Sequence, residues 1–250
     1  MFKSWFRRSA TPPAPAADDA RWRRCEAELP FLGHLRPEER RQLREMAARF
    51  LAEKEFSGGR DFVVGDAVRL SIALQACLLV LHLGLERYDG WVGIVVYPGD
   101  FVIPRQAVDE AGVVHEFDDA VLGEAWPGGP VLLSWFDDRR DAAGVNVVLH
   151  EFAHKLDMQN GEADGLPPLP KSMLRKEWRA AFEPAYADFC RRVDAGEDTE
   201  LDPYAAEAPS EFFAVASEAF FQTPRLLRHE YPAVYEQLRR FYGQDPAIRS

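Results

Sequence analysis

Cysteine is scarce in this sequence of 250 residues, which contains only Cys25, Cys77 and Cys190. The number is odd, the three residues are far apart and no CxxC pair occurs, so neither a disulfide framework nor a zinc finger is expected. A reducing compartment fits better, with each cysteine acting as a small apolar packing residue.

Long apolar runs are missing as well. The longest block, SIALQACLLVLHLGL at residues 71–85, is shorter than the roughly 20 residues that cross a membrane, and it is interrupted by Gln75 and His82. The first residues include basic and aromatic side chains but no apolar stretch as long as that of a signal peptide. These patterns predict a cytoplasmic protein without a membrane span.

Basic residues are outnumbered, because 30 Lys and Arg stand against 41 Asp and Glu, for a net charge of −11. A protein that binds nucleic acid directly normally presents a basic face, so that function class is not expected. An acidic surface can still favour a protein partner that has basic DNA-binding surfaces.

Hydrophobic periodicity divides the chain into three parts. Residues 37–56 repeat apolar positions every three or four residues, as on one face of a helix, and 67–83 are expected to form a second, largely buried helix. Val, Ile and aromatic residues at 90–103 and 129–138 predict strands. Further helices are expected at residues 144–156, 173–193, 209–221 and 224–242. This order indicates an α+β fold with a small, mostly antiparallel sheet.

Two of the six histidines lie four residues apart in VVLHEFAHKLDMQNG, residues 147–161. On a helix, His150 and His154 share a face one turn apart, so both imidazoles can bind one ion. Glu151 lies about 100° away and can reach a water bound to that ion. The HExxH pattern is typical of zinc peptidases, in which the metal activates a water and the glutamate takes its proton.

Two histidines that merely form hydrogen bonds on a core helix are the alternative interpretation. The neighbouring residues are apolar, so the helix is predicted to be buried, and a buried His-Glu-His trio needs partners for its polar atoms. A metal ion supplies one. Elsewhere, His82 is expected to be a core histidine within an apolar helix, and no motif surrounds His115 or His229.

A catalytic zinc site needs a third protein ligand. Asp157 lies on the same face as His150, but a third ligand on one helix would have to reach back along the axis. We therefore expect Asp157 to orient a histidine or to end the helix before Gly161.

The other candidates lie in DPYAAEAPSEFFAVASEAFF, which contains Glu207, Glu211 and Glu218. Pro209 predicts a helix start with Ser210 as its cap, and this places Glu211 in the first turn. Glu211 and Glu218 share one buried face, so spacing alone does not choose between them.

These two segments resemble the Mlc titration factor A family of bacterial zinc metallopeptidases, whose catalytic core is related to the anthrax lethal factor peptidase. LHLGLERYDGW at residues 81–91 and GPVLLSWFD at 129–137 resemble further elements of the family. The resemblance covers most of residues 38–246. It implies a mostly helical, zincin-like (gluzincin) core.

The composition and the resemblance together predict a chain of two parts. Residues 1–19 form a flexible Pro/Ala-rich tail. Residues 20–250 form one zincin-like domain, divided into a helical part at 20–89 and the catalytic core at 90–250.

The resemblance also implies roles for individual residues. His150, His154 and Glu211 match the zinc ligands, and Glu151 matches the general base. Tyr204 matches a tyrosine near the zinc of the lethal factor core, where its hydroxyl can donate to the oxyanion. A structural tyrosine in a loop is the alternative for Tyr204. Glu218 is expected to contact a ligating histidine.

Three functions are therefore considered. The first is a zinc-dependent, aminopeptidase-like enzyme for short peptides, with the strand at residues 131–136 offering a backbone edge to the substrate. The second is a regulatory protein that binds an Mlc-type repressor of sugar phosphotransferase genes, with the zinc site as a switch or a structural element. The third, a purely structural zinc site, is disfavoured because such sites use four closed ligands, usually with cysteine.

Overall fold

The computed structural model describes residues 19–99, 101–108, 114–135 and 146–248. Nearly all of the predicted tail at residues 1–19 lies outside this part of the chain, as do the last residues of the strand predicted at 129–138. Among the described residues, no helix is both long enough and apolar enough to cross a membrane.

The helices agree with the predicted segments to within a few residues. In chain order they are α1 (Asp19–Ala27), α2 (Pro37–Glu53), α3 (Asp66–Leu79), α4 (Val147–Asp157), α5 (Arg175–Asp194), α6 (Pro209–Gln222), α7 (Pro224–Glu230) and α8 (Pro232–Tyr242). The α+β class is confirmed. The segment at residues 224–242 forms two helices, because Pro232 starts a new helix directly after Tyr231.

The strands are β1 (Glu55–Gly58), β2 (Gly93–Pro98), β3 (Phe101–Val108), β4 (Val114–Val121), β5 (Gly123–Ala125) and β6 (Val131–Trp135). Four of them form one sheet in the order β1-β2-β6-β5, and β3 pairs with β4 in a separate antiparallel ribbon.

The expected mostly antiparallel sheet is mixed instead. β2 runs parallel to both β1 and β6, and β5 alone runs antiparallel to β6. Parallel neighbours need a crossover connection, and α3 supplies one between β1 and β2. The direction of a strand relative to its neighbours depends on these long connections. The apolar pattern within a strand does not predict that direction.

The prediction that the strand at residues 131–136 offers a free backbone edge is wrong. β6 lies inside the sheet, where β2 and β5 pair with its two sides. Among the described strands, β1 and β5 are the edges of this sheet. The edge strand β5 packs against α4.

An aromatic cluster holds α4 against the N-terminal half of the chain. Phe152 of α4 is fully buried, and its ring centroid lies 5.7 Å from that of Phe50, 5.2 Å from Tyr88 and 5.9 Å from Trp91. Lys54 Nζ donates to the carbonyl of Trp91 at 2.6 Å and lies over the Trp91 ring. This packing fixes the helix that carries the HExxH pattern.

Candidate metal centre

Helix α4 is completely buried, and Asn146 fixes the position of its first turn. The Asn146 side-chain oxygen accepts the N–H of Leu149 at 3.0 Å, which caps the helix. Its amide group donates to Gln75 of α3 at 2.8 Å, and its backbone N–H donates to Glu218 of α6 at 2.6 Å. One residue therefore links α3, α4 and α6.

The second helix of the site, α6, begins at Pro209, one residue before the predicted cap. The expectation that Ser210 caps this helix is wrong, because Ala208 occupies the cap position and Ser210 lies inside the first turn. Proline suits the first helical position, so the cap must precede it. Glu211 lies in the first turn, as predicted.

Three donor atoms converge between α4 and α6. The Nε2 atoms of His150 and His154 lie 3.1 Å apart, and Glu211 Oε2 lies 3.0 Å from the first and 3.1 Å from the second. In a tetrahedral zinc site with bonds of about 2.0–2.1 Å, ligand atoms are about 3.3 Å apart. The triangle thus has nearly the size and the chemical composition of a set of three zinc ligands.

Glu211 is the carboxylate that faces the ion-binding side of the histidines. Burial alone raises the pKa of Glu211, but its hydrogen bonds with His150 and His154 outweigh this effect and lower the pKa to about 2. Glu211 is therefore ionised at neutral pH, as a carboxylate ligand of a cation must be.

Glu218 lies behind His150, on the far side of the ring from Glu211. Its Oε1 is 2.7 Å from His150 Nδ1, and its Oε2 accepts the Asn146 N–H. Glu211 and Glu218, which spacing alone did not distinguish, thus differ in the ring nitrogen that each carboxylate reaches. Glu218 contacts a candidate ligating histidine, as expected, and holds it with Nε2 directed at the triangle.

Glu151 lies against strand β5. A Cβ built on Gly123 would lie 2.4 Å from Glu151 Oε1, so the absence of a side chain at Gly123 makes room for this carboxyl group. Burial raises the pKa of Glu151 to about 7, although the two histidines oppose that shift. Its Oε2 has no hydrogen-bond partner among the described residues.

Sequence reasoning missed Gly123. A glycine within a strand often marks a close approach of another group, and that was the signal available. Lys155 also links α4 to the turn after β5, because its Nζ donates to the carbonyl oxygens of Trp126 and Gly129 at 2.8 and 3.1 Å.

Tyr204 lies beside the triangle, whereas Asp157 lies at the end of the helix that carries both histidines. Tyr204 lies in the 3₁₀ turn Pro203–Ala206, where its ring centroid is 6.2 Å from that of His150 and the residue is 53% exposed. Asp157 ends α4, and its Oδ2 accepts the N–H of Gly165 at 2.7 Å.

The remaining histidines lie away from the triangle or outside the described side chains. The expectation that His82 is a core histidine is wrong, because α3 ends at Leu79 and His82 follows in an exposed turn, with Nε2 3.6 Å from Glu39. His229 is exposed on α7. The side chain of His115 lies outside the part that the structure describes.

We predict that Glu211→Gln lowers the affinity for zinc by at least about 100-fold, because loss of a ligand should cost more than the 10–100-fold typical of its hydrogen-bonded neighbours. Competition with a chromophoric chelator measures this. Glu207→Gln is the matched control, because Glu207 is exposed four residues earlier, and it should bind zinc like the wild type. Equal affinities for both variants would exclude Glu211 as a ligand.

Comparison with known proteins agrees with this geometry. Residues 2–243 match the family described as glucose-regulated metallo-peptidase M90. The chain is 39% identical to Mlc titration factor A of Klebsiella pneumoniae, over 88% of this chain and 85% of that protein. It is 37% identical to Mlc titration factor A of Escherichia fergusonii, over 94% of this chain and 90% of that protein. It is 38% identical to an uncharacterised protein of Synechocystis, over 88% of this chain and 82% of that protein. The chain therefore belongs to the glucose-regulated metallo-peptidase M90 family.

Proposed function

We propose that this protein is a cytoplasmic zinc-dependent peptidase that cleaves short peptides in the manner of an aminopeptidase. The observation that supports this most is the triangle of donor atoms from His150, His154 and Glu211, with the Glu151 carboxyl group buried beside it. These three side chains would hold a zinc ion, and the chemistry that the ion would supply is polarisation of the scissile carbonyl and activation of a water.

Glu151 is the proposed general base. A base works best when its pKa lies near the working pH, and burial raises the pKa of this carboxyl group to about 7. Its Oε2 has no competing hydrogen-bond partner among the described residues, so it can take a proton from the attacking water.

Tyr204 is the proposed oxyanion donor. Its ring lies next to His150 and is half exposed, so a bound substrate can reach it. As the carbonyl carbon becomes tetrahedral, the phenolic O–H would donate to the oxygen that gains negative charge.

The substrate backbone would pair with β5. Ser134 N–H donates to the Leu122 carbonyl at 2.7 Å, and Trp126 N–H donates to the Pro130 carbonyl at 3.2 Å. This pattern makes Gly123 and Ala125 members of non-hydrogen-bonded pairs, whose own N–H and C=O groups point away from β6. An extended peptide can pair with these groups directly beside Glu151.

We also propose, as a second function, that the protein binds a transcriptional repressor of the Mlc type, with the metal site acting as a switch. Two observations support it: relatives that match along most of their length are named Mlc titration factor A, and the net charge of −11 complements a basic DNA-binding partner.

We predict that Glu151→Gln abolishes peptidase activity while zinc remains bound. Loss of a general base should lower kcat by about 10²–10⁴-fold, because proton transfer then has no positioned acceptor. Hydrolysis of an alanine anilide by the zinc-loaded wild type and variant measures this, with Glu207→Gln as the control. Full activity in a zinc-loaded Glu151→Gln variant would contradict the proposed mechanism.

Gly123→Ala should have a similar effect without any change to an ionisable group. The added methyl group would overlap the Glu151 carboxyl group and displace it, so we expect kcat to fall while zinc affinity stays within a few-fold of the wild type. Gly33→Ala is the matched control, because a Cβ there meets nothing within 4 Å. A Gly123→Ala variant with wild-type zinc affinity and undiminished kcat would show that the position of Glu151 does not depend on Gly123.

For the repressor, we expect an Mlc-type protein to be retained by this chain in a pull-down, to a different extent with zinc than after chelation. The reason is that the metal would order the surface around His150 and Tyr204. Absence of a complex under both conditions would exclude the second function and leave the first unaffected.

A further inference from the structure

The two histidines of the metal centre differ in what contacts their second ring nitrogen. Glu218 faces Nδ1 of His150 at 2.7 Å. Nδ1 of His154 is buried and has no hydrogen-bond partner among the described residues. When Nε2 of a neutral imidazole binds a cation, Nδ1 carries the ring proton and must donate it to an acceptor. His154 therefore lacks the acceptor that His150 already has.

Asp157 is the acceptor within reach. It is fully buried, and one of its two oxygens, Oδ1, has no hydrogen-bond partner among the described residues. Residues three apart on a helix have Cβ atoms about 5–6 Å apart, close enough for their side chains to meet. A buried donor and a buried acceptor, neither with a hydrogen-bond partner among the described residues, thus lie three residues apart on one face of α4.

The other oxygen of Asp157 connects this pair to a loop. Oδ2 accepts the N–H of Gly165, and the carbonyl of Gly165 accepts the indole N–H of Trp178 at 2.9 Å. Gly165 has a positive φ of 78°, and a Cβ there would lie 2.6 Å from the carbonyl oxygen of Pro209. Any side chain is therefore excluded where the loop touches α6.

These residues form a path between two candidate ligands, in which only the step from His154 to Asp157 is not an observed contact. It runs from His154 to Asp157 along α4, across the hydrogen bond to Gly165, and against Pro209, which lies two residues before Glu211. The loop is thus packed between the end of one ligand helix and the start of the other.

We propose that Asp157 is a positioning residue that couples metal binding at His154 to the order of the loop around Gly165. This inference rests on the zinc site of the proposed function and goes beyond it. With metal bound, the Nδ1–H of His154 donates to Asp157 Oδ1, which fixes the ring and holds the carboxylate in place. The fixed carboxylate then secures the N–H of Gly165 and, through Gly165, the approach of the loop to α6.

The test uses Asp157→Asn, which keeps size and shape. The asparagine oxygen can still accept the Gly165 N–H, so the loop anchor is retained. The amide NH₂ then replaces Oδ1 and presents a donor to the Nδ1–H of His154. Asp164→Asn is the matched control: Asp164 lies in the same loop, where its Oδ1 accepts the N–H of Leu166 at 3.0 Å.

We expect zinc affinity, measured by chelator competition, to fall about 10–100-fold in Asp157→Asn and to stay unchanged in Asp164→Asn. In the zinc-loaded wild type, proton NMR should show two low-field histidine Nδ1–H signals, and Asp157→Asn should lose one. Zinc should slow hydrogen exchange of the Gly165 amide in the wild type, and this slowing should be smaller in Asp157→Asn at saturating zinc.

An Asp157→Asn variant with wild-type zinc affinity and both low-field signals would overturn the inference while leaving the proposed function intact. A wild type that does not bind zinc would overturn both. If Asp157→Asn does not fold, hydrogen exchange in the wild type tests the coupling. Zinc should then slow exchange of the Gly165 amide more than that of the Gly196 amide, in the loop after α5. Equal slowing at both amides would overturn the coupling.

Discussion

The central constraint on this structure is that polar groups on the buried faces of two helices have little access to water and depend on one another for partners. His150, Glu151, His154 and Asp157 lie on α4, and Glu218 lies on α6, where their neighbours are apolar or aromatic. An unpaired charge in such surroundings is costly. His150, His154 and Glu211 reduce this cost by facing one another between the two helices, and they form the donor triangle. Glu151 Oε2, His154 Nδ1 and Asp157 Oδ1 have no hydrogen-bond partner among the described residues.

The surroundings of the triangle follow from the same constraint. Asn146 contributes its backbone N–H, its amide and its side-chain oxygen to α6, α3 and α4. Glu218 uses one oxygen for His150 and the other for Asn146, so neither group is left without a partner. Such shared hydrogen bonds fix the orientation of a side chain more strongly than apolar packing alone. The orientation of the His150 ring is therefore set by Glu218, which lies 68 positions away in the sequence.

Local patterns predicted what depends on local geometry. The four-residue spacing of His150 and His154 was sufficient to place both rings on one face, and Pro209 was sufficient to place Glu211 in a first turn. Spacing did not distinguish Glu211 from Glu218, because residues seven apart on a helix share a face. The family resemblance indicated Glu211, and the structure adds the different ring nitrogens that the two carboxylates contact. The contact between Gly123 and Glu151 is equally nonlocal.

The failed expectations have the same origin. The strand at residues 131–136 was expected to offer an edge because it precedes the helix with the HExxH pattern, but an edge is a property of sheet order, which depends on crossovers. His82 was assigned to the core because the apolar pattern continues past the end of α3. In the structure the helix stops at Leu79, so the side chain that follows it is exposed. Periodicity reports which face is apolar, but it does not report where the chain turns.

Glu151 and Glu211 differ strongly in pKa, and this difference supports the separate roles proposed for them, general base and metal ligand. Both are glutamates close to the same two histidines, yet the pKa of Glu211 lies at about 2 and that of Glu151 at about 7. Burial raises the pKa of both groups, and direct hydrogen bonds with the histidines reverse the shift only for Glu211. A carboxylate that remains ionised suits a cation, whereas one that titrates near neutrality suits proton transfer. The fold produces this difference by directing Glu211 at the ring nitrogens and placing Glu151 against the backbone of β5, where Gly123 leaves room for it.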